Sequence, residues 1–376
     1  MTPPPWPLGK KEVDTALQPC RKKGVRAPSS PMQGDGGLSS RAQVAPGSPV
    51  ERLPNQESWM PPRARGLWGS QGLTTMHILI LGNATDAHAA HLKTALTQAG
   101  AAVDYFDTCL FPTRLCISWE PHTSNGSLRL PAARPLALHD IHSVFWRTFT
   151  SVGSVPLADA QQQRIASNDA MSTLQTLIKA CPARWVNSWQ AYQFHREKPL
   201  QLGAVHQLGV QIPPTMITND PEDVRRFAQS HARVIFKPVY GGAHTRDLGP
   251  THLAPQRLEL ALQLAPITLQ AYIPGTNIRS YVLGNAVYAA EIRSASLDFR
   301  EDSNAAVLPV ALPANVQEQC LAIARTLFLT WTAIDWRLTP WGDYVFLEAN
   351  PSPMFLHFER QTGFPITQDL VHLLMQ

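Results

Sequence analysis

The sequence lacks any uninterrupted apolar run of the roughly 18 residues or more that a membrane-spanning helix needs. Its Pro-rich, Lys-containing start also lacks the apolar core of a signal peptide. Cysteine is scarce: the five residues form no Cys-x-x-Cys pair, and their odd number argues against a disulfide framework. We therefore expect a soluble, cytoplasmic protein that does not associate with membranes.

Several catalytic signatures are absent as well. The sequence has no Gly-x-x-x-x-Gly-Lys-Ser/Thr, and no Gly-x-Gly-x-x-Gly follows the first predicted strand, which excludes two common nucleotide-binding motifs. The 13 histidines form no His-x-x-x-His or His-Glu-x-x-His pair, which argues against a zinc site. No convincing Ser/His/Asp or Cys/His arrangement indicates a side-chain nucleophile.

The first 75 residues have no Ile, Phe, Tyr or His, yet they hold 12 of the 33 prolines and 9 of the 22 glycines. Such a composition buries too little apolar surface to offset the entropy of ordering, so we predict disorder over residues 1–75. This tail carries 10 Lys and Arg against 5 Asp and Glu, whereas the remainder has 22 against 23. Because the basic excess belongs to the tail, nucleic acid is not an expected partner. We also expect translation to begin at Met76, where the folded pattern starts.

From there the chain has an α/β pattern. Residues 77–82 are a short apolar run ending at a Gly-Asn turn, residues 86–100 have helical spacing, and residues 102–106 resume as a strand. With a predicted hairpin over residues 116–130, this opening predicts a small α/β lobe over residues 76–184. Residues 185–376 form a second region of mixed helices and strands.

The clearest chemical pattern lies near the C-terminus. Residues 333–337 and 344–350 are two predicted strands joined by a tight Trp-Gly-Asp turn, so pairing would bring Asp335 close to Glu348 and Asn350. Two carboxylates and an amide oxygen are ligands that suit Mg²⁺. The alternative is a hairpin with a solvated polar face. However, Glu348 directly follows an apolar Val-Phe-Leu run, where an unpaired carboxylate would be costly to bury.

These residues give the sequence a resemblance to the ATP-grasp superfamily, most closely to its RimK-like ligases and the related maturases that crosslink graspetides of the microviridin type. Ile334-Asp335-Trp336 and Leu347-Glu348-Ala349-Asn350-Pro351 are similar to the family's two metal-binding strands. Residues 358–366 are similar to its E-x-x-T-G-x-x-I ending. The resemblance covers about residues 76–376. It implies an ATP-grasp fold of mixed α/β and α+β class: a small α/β (pre-ATP-grasp) lobe over residues 76–184, then an ATP-grasp domain over residues 185–376.

The same resemblance assigns residues to ATP. Lys198 and Lys237 would contact its phosphates, and the turn with Gly241 and Gly242 would close over them. The hinge segment beside adenine would consist of Gln270, Ala271, Tyr272 and Ile273. Ala271 replaces the glutamate that is common there, and Asn277 replaces the aspartate of the family's Asp-Ile-Arg sequence, so side-chain contacts to the nucleotide are expected to differ.

The resemblance also implies metal ligands and catalytic residues. Asp335, Glu348 and Asn350 would hold Mg²⁺ or Mn²⁺. Arg279 and Arg293 would stabilise an acyl phosphate and the tetrahedral intermediate after it, since a guanidinium is always charged and has forked donors. Judged without the resemblance, Arg293 is equally well explained as an exposed strand end.

The implied activity is ATP-dependent ligation of a carboxylate to an amine or hydroxyl, with release of ADP and phosphate. A peptide or protein is the preferred carboxylate-bearing substrate, and homo-oligomerisation is left open. Two alternatives also stay open. One is a small-molecule ligase resembling glutathione synthetase. The other is a nucleotide-binding regulatory module without catalysis, which Ala271 and Asn277 motivate.

Overall fold

A computed structural model describes residues 75–376, apart from Ala132, Ser151, Ser154, residues 241–243 and residues 295–303. The predicted disorder of the N-terminal tail therefore concerns residues outside the described part, except for Thr75. Gly241 and Gly242, assigned to the phosphate loop, also lie outside it.

The described residues form 16 strands and nine α-helices. The strands are β1 (His77–Leu81), β2 (Ala102–Phe106), β3 (Cys116–Glu120), β4 (Asn125–Arg129), β5 (Leu136–Ala137), β6 (Ile141–Trp146), β7 (Arg184–Val186), β8 (Thr215–Thr218), β9 (Val234–Pro238), β10 (Arg246–Asp247), β11 (Ile267–Ala271), β12 (Thr276–Leu283), β13 (Ala286–Arg293), β14 (Ala306–Pro309), β15 (Trp331–Leu338) and β16 (Tyr344–Asn350). The helices are α1 (Ala87–Gln98), α2 (Ala160–Ala180), α3 (Trp189–Arg196), α4 (Lys198–His206), α5 (Pro221–Ser230), α6 (Pro255–Leu264), α7 (Ala314–Thr326), α8 (Leu356–Thr362) and α9 (Ile366–Met375).

The first sheet is parallel, in the order β2-β1-β6-β7. Residues 78–81 of β1 are all buried, as expected for a strand whose two faces are both covered. Helix α1 is capped by Asp86, whose carboxylate accepts a hydrogen bond from the Ala89 backbone N–H at 2.8 Å. The parallel β1-α1-β2 opening predicted from the sequence is confirmed.

The hairpin predicted over residues 116–130 is also present, as β3 and β4, with β5 added at its edge. Asn125 and Gly126 belong to β4 and not to the turn of the hairpin. A Cβ at position 126 would lie 2.7 Å from the Trp119 ring and 2.8 Å from Leu138. Glycine therefore serves a close approach inside the strand, and the turn falls over residues 121–124.

Two antiparallel sheets follow. One has the order β10-β9-β11-β8, and the other has the order β14-β13-β12-β15-β16. Helix α7 packs on β12, β13 and β15 of the larger sheet, where Trp336 is fully buried. No helix among the described residues is both long enough and apolar enough to cross a membrane.

The C-terminal helices return to the first sheet. Helix α9 packs on α1 and β6, and the Ser143 hydroxyl donates a hydrogen bond to the Leu374 carbonyl at 2.7 Å. Trp331, from the opposite face of β15 to Trp336, shares one hydrophobic core with Phe145 of the first sheet and Phe355. This packing brings the ends of β6 and β7 next to the residues that follow β16, which matters for the candidate site.

Candidate functional site

Three charged residues lie side by side on adjacent strands of the larger sheet. Arg279 of β12 is the register partner of Asp335 of β15, and Asp335 is in turn the partner of Glu348 of β16. Paired residues of antiparallel strands share a face, so the three side chains project on the same side. The β15–β16 register shifts just after Asp335, leaving Leu347 as the extra residue of a bulge beside Glu348.

Arg279 and Asp335 form a two-point ion pair. The Arg279 Nε and Nη2 atoms donate to the two Asp335 carboxylate oxygens, each at 2.7 Å. Their side chains are only 15% and 11% exposed. Burial acts to lower the pKa of the Arg279 guanidinium, but the charge of Asp335 and its hydrogen bonds raise that pKa above its ordinary value. The guanidinium is therefore firmly charged.

Glu348 is paired with Lys198, whose Nζ donates to Glu348 Oε2. Lys198 opens helix α4, and that helix is fixed to β16 because the Gln201 side-chain amide exchanges two hydrogen bonds, at 2.9 and 3.0 Å, with the Ala349 backbone. Burial acts to raise the pKa of Glu348, but the positive charges of Lys198 and Lys237 lower it to about 2. Glu348 is thus ionised at any physiological pH.

Asn350 lies two residues after Glu348 and on the same face of β16. Its Oδ1 accepts a hydrogen bond from the Ser352 backbone N–H at 3.0 Å, which orients the amide and leaves one lone pair on that oxygen. Asp335, Glu348 and Asn350 together offer hard oxygen donors of the kind that Mg²⁺ takes, so they fit a divalent cation. No group of three or more His, Cys, Asp or Glu side chains within the described ranges could hold a metal. A metal here would therefore bind through two carboxylates, an amide and oxygens from outside the protein.

A cleft of about 90 Å³ lies beside these strands. Its lining includes Lys237 and all four residues of the expected hinge, Gln270, Ala271, Tyr272 and Ile273. Lys237 on β9 and Thr268 on β11 are register partners, so the lysine and the hinge come from neighbouring strands. Among the described residues that line the cleft, Lys237 and Arg337 are cations and none is Asp or Glu. The cleft therefore suits an anionic ligand.

A protein-family model matches the part of the chain that contains this arrangement. Residues 195–374 match the family described as the RimK-like ATP-grasp domain, a span that includes every charged residue described above. These residues form a RimK-like ATP-grasp domain. The ATP-grasp fold and the RimK-like resemblance inferred from the two C-terminal strands are thus confirmed, and ligase activity is what a match to this domain implies. No curated protein sequence matches the chain.

Solved structures extend the similarity beyond the matched domain. The ATP-grasp ligase PsnB complexed with a minimal precursor is 27% identical, with a TM-score of 0.68 over 79% of this chain and 97% of that chain. PsnB complexed with a phosphomimetic precursor variant, Mg and ADP is 26% identical, with a TM-score of 0.69 over 81% and 99%. The macrocyclase MdnC from Microcystis aeruginosa MRC, bound with precursor peptide MdnA, is 25% identical, with a TM-score of 0.70 over 80% and 100%.

Arg337 is a charged cleft residue of the RimK-like ATP-grasp domain that the sequence analysis did not assign a role. Arg337 donates from Nε to the Ile273 carbonyl at 3.1 Å, from Nη1 to Asn277 Oδ1 at 2.9 Å and from Nη2 to the Tyr272 hydroxyl at 3.1 Å. One guanidinium thus ties two residues of the expected hinge, Tyr272 and Ile273, to Asn277 of β12. A signal was available, because Arg337 is two residues after Asp335 and must share its face of β15.

Arg293 is not brought to the Arg279–Asp335 pair. It ends β13, where Ala290 is the register partner of Arg279, so strand alternation puts Arg293 on the other face. Its side chain is 64% exposed and donates to Glu291 at 3.0 Å. The catalytic role expected for Arg293 has no support from this geometry and stays a prediction of the sequence resemblance.

Proposed function

We propose that this protein is an ATP-dependent ligase that joins a peptide carboxylate to an amine or hydroxyl through an acyl phosphate. One observation carries the proposal: Arg279, Asp335 and Glu348 lie in register on three adjacent strands, with Lys198 paired to Glu348. Three cations, counting Lys237, face two carboxylates at this point. The site therefore carries a net positive charge that suits a nucleoside triphosphate and an acyl phosphate.

The first step forms the activated carboxylate. An oxygen of the substrate carboxylate attacks the γ-phosphorus of ATP, the bond from that phosphorus to the β,γ-bridging oxygen breaks, and ADP leaves. Lys198 and Lys237 hold the phosphates, since an ammonium is a compact donor for phosphate oxygens. The hinge residues 270–273 and Arg337 position the base end of the nucleotide in the cleft.

In the second step an amine nitrogen or hydroxyl oxygen attacks the carbonyl carbon of the acyl phosphate. The carbon–oxygen bond to phosphate then breaks, and the attacking atom loses its proton, so that an amide or ester, phosphate and a proton are the products. Arg279 offers a permanent positive charge to the developing oxyanion. No side-chain nucleophile is needed, in keeping with the absence of a triad in the sequence.

Asp335, Glu348 and Asn350 would hold the divalent cation that the reaction requires. The chemistry that Mg²⁺ or Mn²⁺ supplies when bound is neutralisation of charge on the transferring phosphoryl group. Arg279 and Lys198 already orient the carboxylates of Asp335 and Glu348, so little rearrangement of these two side chains is needed.

A peptide substrate is favoured over a small molecule. The similar structures at 25–27% identity include ligases complexed with precursor peptides, and the similarity covers about four-fifths of this chain, including the first lobe. The test is to incubate the purified protein with ATP, Mg²⁺ and short peptides that carry Glu or Asp together with Lys, Thr or Ser. Peptides encoded beside the gene should be included. We expect ADP release together with loss of one water from the peptide mass for each bond formed.

The matched control peptide has every Asp and Glu replaced by Asn and Gln, and the matched control enzyme is Glu348→Gln. Both should release no ADP above background. ADP release with free amino acids but with no peptide would instead support the small-molecule ligase. Tight binding of ATP without turnover of any peptide or amino acid in the panel would support the regulatory module.

A further inference from the structure

The first lobe contacts the end of β16 through one arginine. Arg147, directly after β6, donates from Nη1 to the Ser352 carbonyl at 2.8 Å and to the Ser352 hydroxyl at 3.0 Å. The Ser352 hydroxyl in turn donates to the Arg147 carbonyl at 2.7 Å. Three hydrogen bonds thus join residues that are 205 positions apart in the chain.

The guanidinium of Arg147 is itself fixed from the other side. Its Nε donates to Asp86 Oδ1 at 3.0 Å, and the Arg147 side chain is only 10% exposed. Asp86 also caps helix α1, so its carboxylate has a fixed position. Burial acts to raise the pKa of Asp86, but the hydrogen bond from Arg147 helps to lower that pKa below its ordinary value.

Ser352 in turn orients the side-chain amide of Asn350. Its backbone N–H donates to Asn350 Oδ1, so the direction of the Asn350 amide depends on where Ser352 sits. The backbone of the same turn, residues 350–352, is fixed by two further donors. Thr332 Oγ1 donates to the Asn350 carbonyl at 2.8 Å, and Asn187 Nδ2 donates to the Pro351 carbonyl at 2.7 Å.

Asn187 is itself held in place by further hydrogen bonds, so it holds the 350–352 turn firmly. This residue is buried and follows β7 of the first sheet. Its side chain also makes hydrogen bonds with the start of β15. Nδ2 donates to the Trp331 carbonyl at 2.6 Å, and Oδ1 accepts from the Thr330 and Trp331 N–H groups. Two strands of the first sheet, β6 and β7, therefore each supply a residue that holds the 350–352 turn.

We infer that Arg147 is a positioning residue for the metal site, acting through Ser352 on the orientation of the Asn350 amide oxygen. This inference rests on the proposed function, since it takes Asn350 as a metal ligand. Partners that orient metal ligands typically change metal affinity by about 10–100-fold when removed. The charge of Arg147 is balanced by Asp86, so the arginine can lie near a bound cation without simply repelling it. The first lobe thereby completes a site whose ligands all belong to the second region.

The test measures metal affinity without turnover. Mn²⁺ is titrated into the ADP-loaded full chain, and free Mn²⁺ is followed by electron paramagnetic resonance. Arg147→Met should raise the Mn²⁺ Kd by about tenfold or more, and Ser352→Ala should raise it by a smaller factor, because the contact of Arg147 with the Ser352 carbonyl survives. Affinity for ADP in the presence of a chelator should equal that of the wild type in both variants.

Two reference variants separate the possible results. Arg184→Met removes a half-buried arginine of the neighbouring strand β7 whose Nε and Nη2 make no hydrogen bond, and it should leave the Mn²⁺ Kd unchanged. Glu348→Gln should weaken Mn²⁺ binding if the metal assignment is right.

If Glu348→Gln weakens Mn²⁺ binding while Arg147→Met and Ser352→Ala bind Mn²⁺ as tightly as the wild type, the inference about Arg147 is overturned and the proposed function stands. If Glu348→Gln also binds normally, both are overturned. A lower melting temperature with an unchanged Mn²⁺ Kd would mean that Arg147 has only a structural role. Should Arg147→Met fail to fold, Ser352→Ala decides the matter, since it removes one hydroxyl and leaves the Ser352 N–H in place.

Discussion

Arg279 and Asp335 share two hydrogen bonds of 2.7 Å across neighbouring strands, so the residue proposed to stabilise the acyl phosphate also holds a residue proposed to bind the metal. Either side chain therefore has two effects when it is changed. An isosteric Asp335→Asn substitution looks harmless to the fold from the sequence alone. In the structure it leaves a charged Arg279 without its partner.

Asp335→Asn is predicted to abolish turnover and to lower stability. We expect ADP release to fall by at least about 10²-fold, because both the metal site and the orientation of Arg279 are lost. The free energy of unfolding should fall by about 3 kcal/mol, the size typical of breaking one half of a buried ion pair. Urea unfolding and a coupled ADP assay measure the two effects.

The control is Asp343→Asn, a carboxylate in the turn of the same hairpin; among the described residues it accepts only from the Thr339 hydroxyl, at 3.5 Å. It should change neither quantity much. The double variant Arg279→Gln/Asp335→Asn should recover part of the lost stability but none of the activity. Turnover of a cognate peptide by Asp335→Asn at the wild-type rate would remove Asp335 from the metal site.

Arg337→Lys is predicted to weaken nucleotide binding. A lysine cannot reach the Ile273 carbonyl, Asn277 and the Tyr272 hydroxyl at once, so the hinge loses its common tie. We expect the Kd for ADP to rise by about tenfold, equivalent to about 1.4 kcal/mol. Calorimetric titration with ADP measures this without any peptide substrate.

Arg233→Lys is the matched control for this prediction. Arg233 stacks on the same Tyr272 ring, at 3.8 Å, but its nitrogens are used by Asp247 on the surface. Its replacement should change the Kd for ADP much less than that of Arg337. Equal effects of the two substitutions would mean that stacking on Tyr272 holds the hinge, and that the hydrogen bonds of the Arg337 guanidinium do not contribute to nucleotide binding.

Local patterns in the sequence predicted the local geometry well. The alternation of β15 and β16 and the short turn between them were enough to place Asp335 opposite Glu348, and the register confirms that pairing. The parallel opening of the chain and the hairpin of the first lobe were equally readable, because turn chemistry and periodicity act over a few residues.

The sequence patterns did not predict contacts between distant segments of the chain. The ion pair of Lys198 with Glu348 joins residues 150 positions apart, and the hydrogen bonds of Arg147 with Ser352 join residues 205 positions apart. Which strand lies beside which, and how the first sheet packs on the C-terminal helices, is decided by the shared core around Trp331 and Phe355. The spacing of residues in the sequence does not predict that packing. Lys198 was therefore assigned to the ATP phosphates only through the family resemblance.

Cysteine reactivity should divide the described thiols into two pairs. Cys109 and Cys116 are exposed, whereas Cys181 and Cys320 are buried, and burial raises the pKa of each of the latter two thiols to about 11. Among these four thiols, brief alkylation of the native protein near pH 8, followed by peptide mass mapping, should label only the exposed pair. Labelling in urea should reach all four. Rapid native labelling of Cys320 would show that the helix α7 face of the larger sheet opens readily.

His88 is predicted to make stability depend on pH. It belongs to helix α1, and its Nδ1 accepts hydrogen bonds from the backbone N–H groups of Phe355 and Leu356, at 3.3 and 3.5 Å, while its ring packs on Phe355. An acceptor nitrogen must be unprotonated, and burial, aided by the charge of Arg147, lowers the pKa of His88 below its ordinary value of 6.5. Below pH 6.5 the unfolded chain therefore binds a proton that the folded chain resists, and the stabilisation from His88 is progressively lost.

His88→Gln tests this through the difference between two melting curves measured at several pH values. At pH 8 the variant should be less stable than the wild type, because it loses the ring contact with Phe355. The difference in melting temperature between the two proteins should become smaller as the pH falls from 6.5 towards 5. Only the wild type loses stability from protonation of His88 in this range. His139→Gln, at a site where the histidine side chain is 71% exposed, should track the wild type throughout. A gap of constant size across this range would show that His88 titrates alike in the folded and unfolded chains, and that its contact with the 355–356 backbone does not depend on a neutral ring.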